Sequence, residues 1–250
     1  MFRMSKLHWA RAAAALAVVC VLATPAKVTA QPPPSARSEL AKSLGENPVF
    51  GVLEAYYPAT YKAALDALEQ GMAKGQTMAG IQSAIRDTYV ALLSSEMPKA
   101  EGTYVLEAVR IGQRQAEAVA SSPADCMTVL GLLKMERIMQ NVIPAAEIEA
   151  EQAWAAAMLR QPATRPVQRT IRPLPPEKLR VLAITAYDGL SSDDARMRIV
   201  RLAGKFAGVT DADDQRAICE FSIQYSAALL AMPTVEAVDT FLATTTGVAP

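Results

Sequence analysis

Few residues of this chain are of a type and spacing that do chemistry. The one histidine is His8, ahead of an apolar run, so nothing built on residues 31–250 contains an imidazole. That excludes Ser–His–Asp and Cys–His catalysis and histidine-ligated zinc from that part of the chain. No stretch has the G-x-x-x-x-G-K-[ST] or G-x-G-x-x-G spacing that cradles phosphates. Cys126 and Cys219 are much too far apart for a C-x-x-C redox pair. No metal or cofactor is expected.

Carboxylates remain. Glycoside hydrolysis needs only two of them, one on each side of the scissile bond. The candidates are Glu96 and Glu101. Neither lies in the Glu-Ser and downstream Gly-Leu-Met-Gln pattern that lytic transglycosylases carry, and solvated acids at helix ends account for both. Asp211, Asp213 and Asp214 imitate a calcium loop, as do Asp188, Asp193 and Asp194. Both groups lack the glycine and the distant bidentate glutamate of an EF-hand. Acids in the first turn of a helix, facing the positive end of its dipole, explain them.

The one charge asymmetry is basic. Residues 159–180 carry Arg160, Arg165, Arg169, Arg172, Lys178 and Arg180 against the single acid Glu177. Residues 31–158 carry 10 basic and 15 acidic side chains, and residues 181–250 carry 5 and 9. Arg165, Arg169 and Arg172 could contact an anion or a partner, or they could pair with acids on either side and hold the segment down. Charge complementarity favours the second reading.

The elements that position these groups follow from prolines and apolar spacing. Gln161–Glu177 holds Pro162, Pro166, Pro173, Pro175 and Pro176. Proline lacks a backbone N–H and its ring clashes with the preceding turn, so the segment is predicted to be a non-helical strap between two helical halves. Only Val167–Arg172 has any strand-like character. Before the strap, Asn47-Pro48 reads as a cap and first helical residue. Tyr61, Leu65, Leu68 and Met72 form one stripe, ended by Gly75. Thr77 caps a helix with the stripe Ile81, Ile85, Tyr89 and Leu92, and the short connection predicts an antiparallel hairpin. Pro98 is predicted to open a helix to about Ser121 through Val105, Val109, Gly112 and Ala116. Ser122-Pro123 opens another that carries Cys126 in its first turn and runs on through Met135 and Ile138 or Met139. Trp154 and Met158 anchor an alanine-rich helix up to Arg160. A short helix is also predicted over Ser38–Leu44.

Beyond the strap, Pro176 opens a helix ending near Gly189. Ser191 or Ser192 caps the next, which Gly208 stops. Thr210 is predicted to cap the most apolar helix of the chain, with Ile218, Phe221, Tyr225 and Leu229. A helix apolar nearly all round belongs in the middle of a bundle. A last helix follows Thr234. The prediction is an all-α, multi-helix bundle of roughly nine to ten helices. Its parts are a signal peptide (1–30), a flexible lead-in (31–46), a helical half (47–160), the Pro/Arg-rich strap (161–177) and a second helical half (178–250).

The signal peptide rests on Arg3, Lys6 and Arg11, the apolar run Ala12–Ala23, and Val28-Thr29-Ala30 ahead of Gln31. The run is short for a membrane span, and the pattern predicts cleavage after Ala30, with Ala26 the second choice. Removal takes four basic residues and no acid, leaving 21 basic against 25 acidic, a net charge of −4. That balance argues against nucleic acid or an anionic membrane as partner; membrane contact is expected only during export. In an exported chain the even pair Cys126 and Cys219 is predicted to form a disulfide. The functional expectation is a periplasmic or secreted bacterial binding protein without a catalytic site, its partner another envelope protein or an anionic envelope polymer. The alternatives are a carboxylate-based peptidoglycan hydrolase and a helical carrier of a small apolar ligand.

Overall fold

Pro48 follows a residue whose side chain can accept a hydrogen bond, and the first helix starts there: Asn47 Oδ1 accepts the Val49 N–H at 3.0 Å. The computed structural model of the chain describes residues 47–133, 141–172 and 174–246. Among the described residues there are ten α-helices and no strand, as the sequence predicts. They are α1 (Pro48–Tyr56), α2 (Pro58–Ala73), α3 (Met78–Glu96), α4 (Gly102–Ala118), α5 (Pro123–Val129), α6 (Ala145–Thr164), α7 (Pro176–Asp188), α8 (Asp193–Leu202), α9 (Ala212–Leu230) and α10 (Thr234–Thr246). A single 3₁₀ turn, Met97–Lys99, follows α3.

Contacts group these helices into two units. The amino unit draws its described residues from Val18–Ala100 and Met135–Val167, and the carboxy unit from Glu101–Lys134 and Gln168–Pro250. This grouping differs from the division into 47–160 and 178–250. Helices α4 and α5 precede the strap in sequence but belong with the helices that follow it.

In the amino unit, α2 and α3 pack as the predicted hairpin. Gly75 makes the turn with φ +64°, a left-handed conformation that suits glycine. Thr77 Oγ1 then caps α3 by accepting the Gly80 N–H at 3.2 Å. Gly71 permits the close crossing, since a Cβ there would collide with the Ile81 side chain. Helix α6 packs against α1 and α3. It buries Trp154, Met158 and Leu159, while α1 buries Val49, Phe50, Val52 and Leu53.

In the carboxy unit, α9 is the central helix predicted from its apolar circumference. It touches α4, α5, α7, α8 and α10. Ala217, Ile218, Cys219, Phe221, Ser226 and Leu229 are buried along it. Cys126 in α5 and Cys219 in α9 form the predicted disulfide, with a Cα–Cα distance of 5.9 Å, within the range a bridge spans. Phe206 and Tyr225 flank Phe221, with ring centroids 6.1 and 6.3 Å away.

Several boundaries depart from the sequence reading. Pro98 does not open the helix to Ser121; it sits in the 3₁₀ turn, and α4 starts at Gly102. Helix α6 runs past Pro162 to Thr164, with the proline buried in its last turn. A proline there costs only one backbone bond. The end is tied by the Arg165 N–H to Gln161 O at 2.7 Å, by Thr164 Oγ1 donating to Arg160 O at 2.9 Å, and by Gln161 Nε2 donating to Arg165 O at 2.6 Å. The cap of α9 is Asp211, not Thr210: its Oδ1 accepts the Asp214 N–H at 2.9 Å. Helix α8 ends at Leu202 with Ala203 left-handed at φ 48°, well before Gly208. Helix α5 stops at Val129, and Gly131 turns the chain with φ +69°. The predicted continuation of that helix through Met135, and the short helix Ser38–Leu44, lie outside the described residues.

Candidate functional site

The strap is irregular from Arg165 to Pro175 over its described residues. Pro166, Gln168, Thr170 and Arg172 are exposed, while Val167, Arg169 and Ile171 are half-buried. A period of two is the signature of extended backbone, whose successive side chains point to opposite sides. The Val167 N–H donates to Lys99 O at 2.7 Å, and Leu174 is buried.

The three arginines divide. Arg165 and Arg172 are exposed and meet no acid among the described residues. Arg169 lies half-buried along Gly102: its Nη2 is 3.9 Å from where a Cβ of that glycine would be. The expectation that all three arginines pair with acids therefore fails for Arg165 and Arg172. Acids among the described residues pair with other basic residues: Glu96 with Lys99, Glu107 with Arg110 and Arg114, and Glu236 with Lys178. Glu107 and Arg110 stand three residues apart on α4, where pairing costs little chain entropy, and Lys99 stands three residues beyond Glu96 in the 3₁₀ turn.

Glu96 ends α3, with its side chain 12% exposed. Its Oε1 lies 2.7 Å from Lys99 Nζ, and Oε2 lies 3.4 Å from the Tyr57 hydroxyl. That hydroxyl donates to Leu159 O at 2.9 Å. Burial, and then the Glu96 charge, push the Tyr57 phenol above its ordinary range. The cluster ties α6 to the end of α3. Glu101 is exposed ahead of α4 in the other unit, and its side chain does not cap that helix.

The Asp-rich stretches are built into a clasp. Arg198 on α8 reaches Asp194 at 2.7 Å, Asp214 at 2.9 Å, Asp211 at 3.2 Å and Asp213 at 3.5 Å. Arg201 pairs with Asp214 as well. Asp214 is buried, although its helix begins only two residues earlier. The Asp211 carboxyl is held below the usual carboxylate range, first by the hydrogen bond from the Asp214 N–H and then by Arg198. First-turn acids were legible in the sequence. Their arginine partners were missed, though Arg198 and Arg201 stand three residues apart on one helix. Charges that satisfy one another lock α8 to α9 and leave no concentration of one sign for a ligand. Among the described residues no group of three or more His, Cys, Asp or Glu could hold a metal, and no helix is long and apolar enough to cross a membrane.

The amino unit also buries two ionisable side chains, Tyr89 on α3 and Glu151 on α6. The Tyr89 hydroxyl has no hydrogen-bond partner among the described residues. Burial first, and the nearby Glu151 charge second, raise the Tyr89 phenol well above 10.0. A raised phenol stabilises the fold fully below about pH 10. Above that pH the unfolded chain releases the proton while the folded chain keeps it, so stability falls as pH rises. Tyr225, whose phenol burial pushes up to about 12, adds to the loss between these values. Tyr89→Phe is expected to melt within about 1 kcal/mol of the parent at pH 7, because it removes a hydroxyl that finds no partner. Between pH 10 and 11.5 it is expected to lose less stability than the parent. Melting temperatures across that range, parent against variant, check this.

No family model, curated protein or solved structure matches the chain.

Proposed function

We propose that this is an exported bacterial envelope protein, periplasmic or secreted, that binds a partner through the strap and carries no catalytic site of its own. The partner is another envelope protein or an anionic envelope polymer. The observation that carries the binding reading is the exposure of Arg165 and Arg172 on an extended segment, with no described acid against either. Loops held by a rigid scaffold are where binding residues gather, and an exposed guanidinium offers a planar fork of donors to carboxylate or phosphate. Export is supported by the charge, apolar and small-residue order of residues 1–30 and by the buried cystine, a bond that persists in oxidising compartments.

The binding reading is tested with Arg165→Gln/Arg172→Gln, which leaves the half-buried Arg169 in place. Exposed charges contribute about 0–1 kcal/mol each, so the double variant is expected to melt close to the parent. Isolated cell envelopes of the expressing bacterium serve as the probe in a co-sedimentation assay. The parent is expected to sediment with them at low ionic strength and the double variant to stay in the supernatant. Equal sedimentation of the two proteins would remove the strap from the function. A large fall in melting temperature would show instead that these arginines hold the fold.

A further inference from the structure

The strap has a second property, independent of what it binds. Every described arginine except Arg169 either lies in a helix or precedes a proline. Arg86, Arg110, Arg114, Arg160 and Arg180 are helical, as are Arg196, Arg198, Arg201 and Arg216. Arg165 and Arg172 are followed by Pro166 and Pro173. A serine or cysteine endopeptidase binds its substrate as an extended strand, so a helical bond must unwind before it can be cut. An arginyl–prolyl bond is a poor substrate because the imino nitrogen carries no proton and the ring crowds the catalytic base. The Arg169–Thr170 bond alone escapes both protections. It sits between exposed Gln168 and exposed Thr170 in backbone already extended. The Arg169 side chain rests along Gly102 and must lift to enter a protease pocket. Its Nε is buried, so the side chain must give up its contacts to enter that pocket, while the backbone on either side is already extended.

The topology says what a cut there would leave. The described residues of the carboxy unit come from two sequence-separated pieces, and the bond lies at the start of the second. Helices α4 and α5 come from the piece before it, and α7 to α10 from the piece after it. Helix α9 is packed against α4 and α5 from across the cut. Cys126 lies before the cut and Cys219 after it, joined by the disulfide. We infer that Arg169–Thr170 is the processing site at which an arginine-specific endopeptidase converts the folded chain into a two-chain, disulfide-linked protein. The step is a hydrolysis: one water is consumed, the peptide C–N bond breaks, and an Arg169 carboxylate and a Thr170 amine form.

The test uses the native, unreduced protein and a purified arginine-specific endopeptidase. Among the described arginines, cutting is expected first at Arg169–Thr170, identified by fragment mass. The two fragments are expected to run as one species without reductant and as two with it, and the cut protein to keep its helical circular dichroism. Two variants block the bond in different ways. Arg169→Gln removes the recognised side chain, whereas Thr170→Pro keeps Arg169 and removes a backbone N–H that is engaged by no described residue. Both are expected to resist the enzyme while melting as cooperatively as the parent. An earlier cut at another of the described arginines, an uncut Arg169–Thr170 bond in the parent chain, fragments that separate without reductant, or rapid cutting at residue 169 of a folded Thr170→Pro protein would each overturn the inference.

Discussion

Opening the Cys126–Cys219 bond is expected to destabilise the carboxy unit more than any other single change. The cysteines are 93 residues apart in sequence. In the chain-entropy picture, freeing a loop of that length costs about 4–5 kcal/mol, since the unfolded chain regains the freedom that the bridge removed. At about 2–4 °C per kcal/mol for a chain of this size, the melting transition is expected to fall by roughly 10–20 °C. Both sulfurs are buried, at 0% and 2% exposure, so the native bond should resist mild reductant. Cys126→Ala/Cys219→Ala avoids burying new polar atoms. Thermal melts followed by circular dichroism, with that variant beside the parent, check the expectation. An unchanged transition would show that helix contacts alone hold α5 on α9.

Phe221→Ala is expected to be the most damaging of the single core substitutions considered. Phe221 is 2% exposed, on the helix that touches five others, with Phe206 and Tyr225 about its ring. Truncation removes buried apolar area and leaves a cavity that rigid helices close only partly, a loss of about 3–5 kcal/mol. Val235→Ala is the control. Val235 is 72% exposed, and substitutions at such positions stay within about 0.5 kcal/mol. Urea midpoints for the two variants should therefore differ widely. If they coincide, α9 is not the centre of its unit.

These expectations show which parts of the fold the sequence carries openly. Caps and stops are chemical and local: Asn47 and Thr77 cap α1 and α3 as their side chains predict, and Gly75 turns the chain at positive φ. The central place of α9 was legible too, because a helix apolar on nearly every side has nowhere else to go. What escaped is long-range. Nothing local in α4 and α5 says that they pack with helices seventy or more residues ahead, although Cys126 in α5 was a clue once its partner was named. Pro162 sits in a last turn and not in a helix interior, so it removes one backbone bond while side-chain donors tie the carbonyls of Arg160 and Arg165 at the helix end. In the Arg198 clasp only Asp194 lies at i, i+4 on the same helix; Asp211, Asp213 and Asp214 sit on the following helix and its cap, where spacing along one helix gives no sign of them. A charge sum over the whole strap does not say which of its arginines meets an acid: Arg165 and Arg172 are exposed and Arg169 is half-buried.

The central claim is that this is an exported helical protein stapled by one cystine. Intact-mass measurement of the protein recovered from the periplasm or medium of an expressing bacterium, alkylated without reduction, tests both halves at once. The predicted mass is that of Gln31–Pro250, less two hydrogens for the Cys126–Cys219 bond and without an alkyl group, the first residue either open or cyclised to pyroglutamate. A chain that stays in the cell, still carries Ala12–Ala23 and takes up alkyl groups on Cys126 and Cys219 would contradict it.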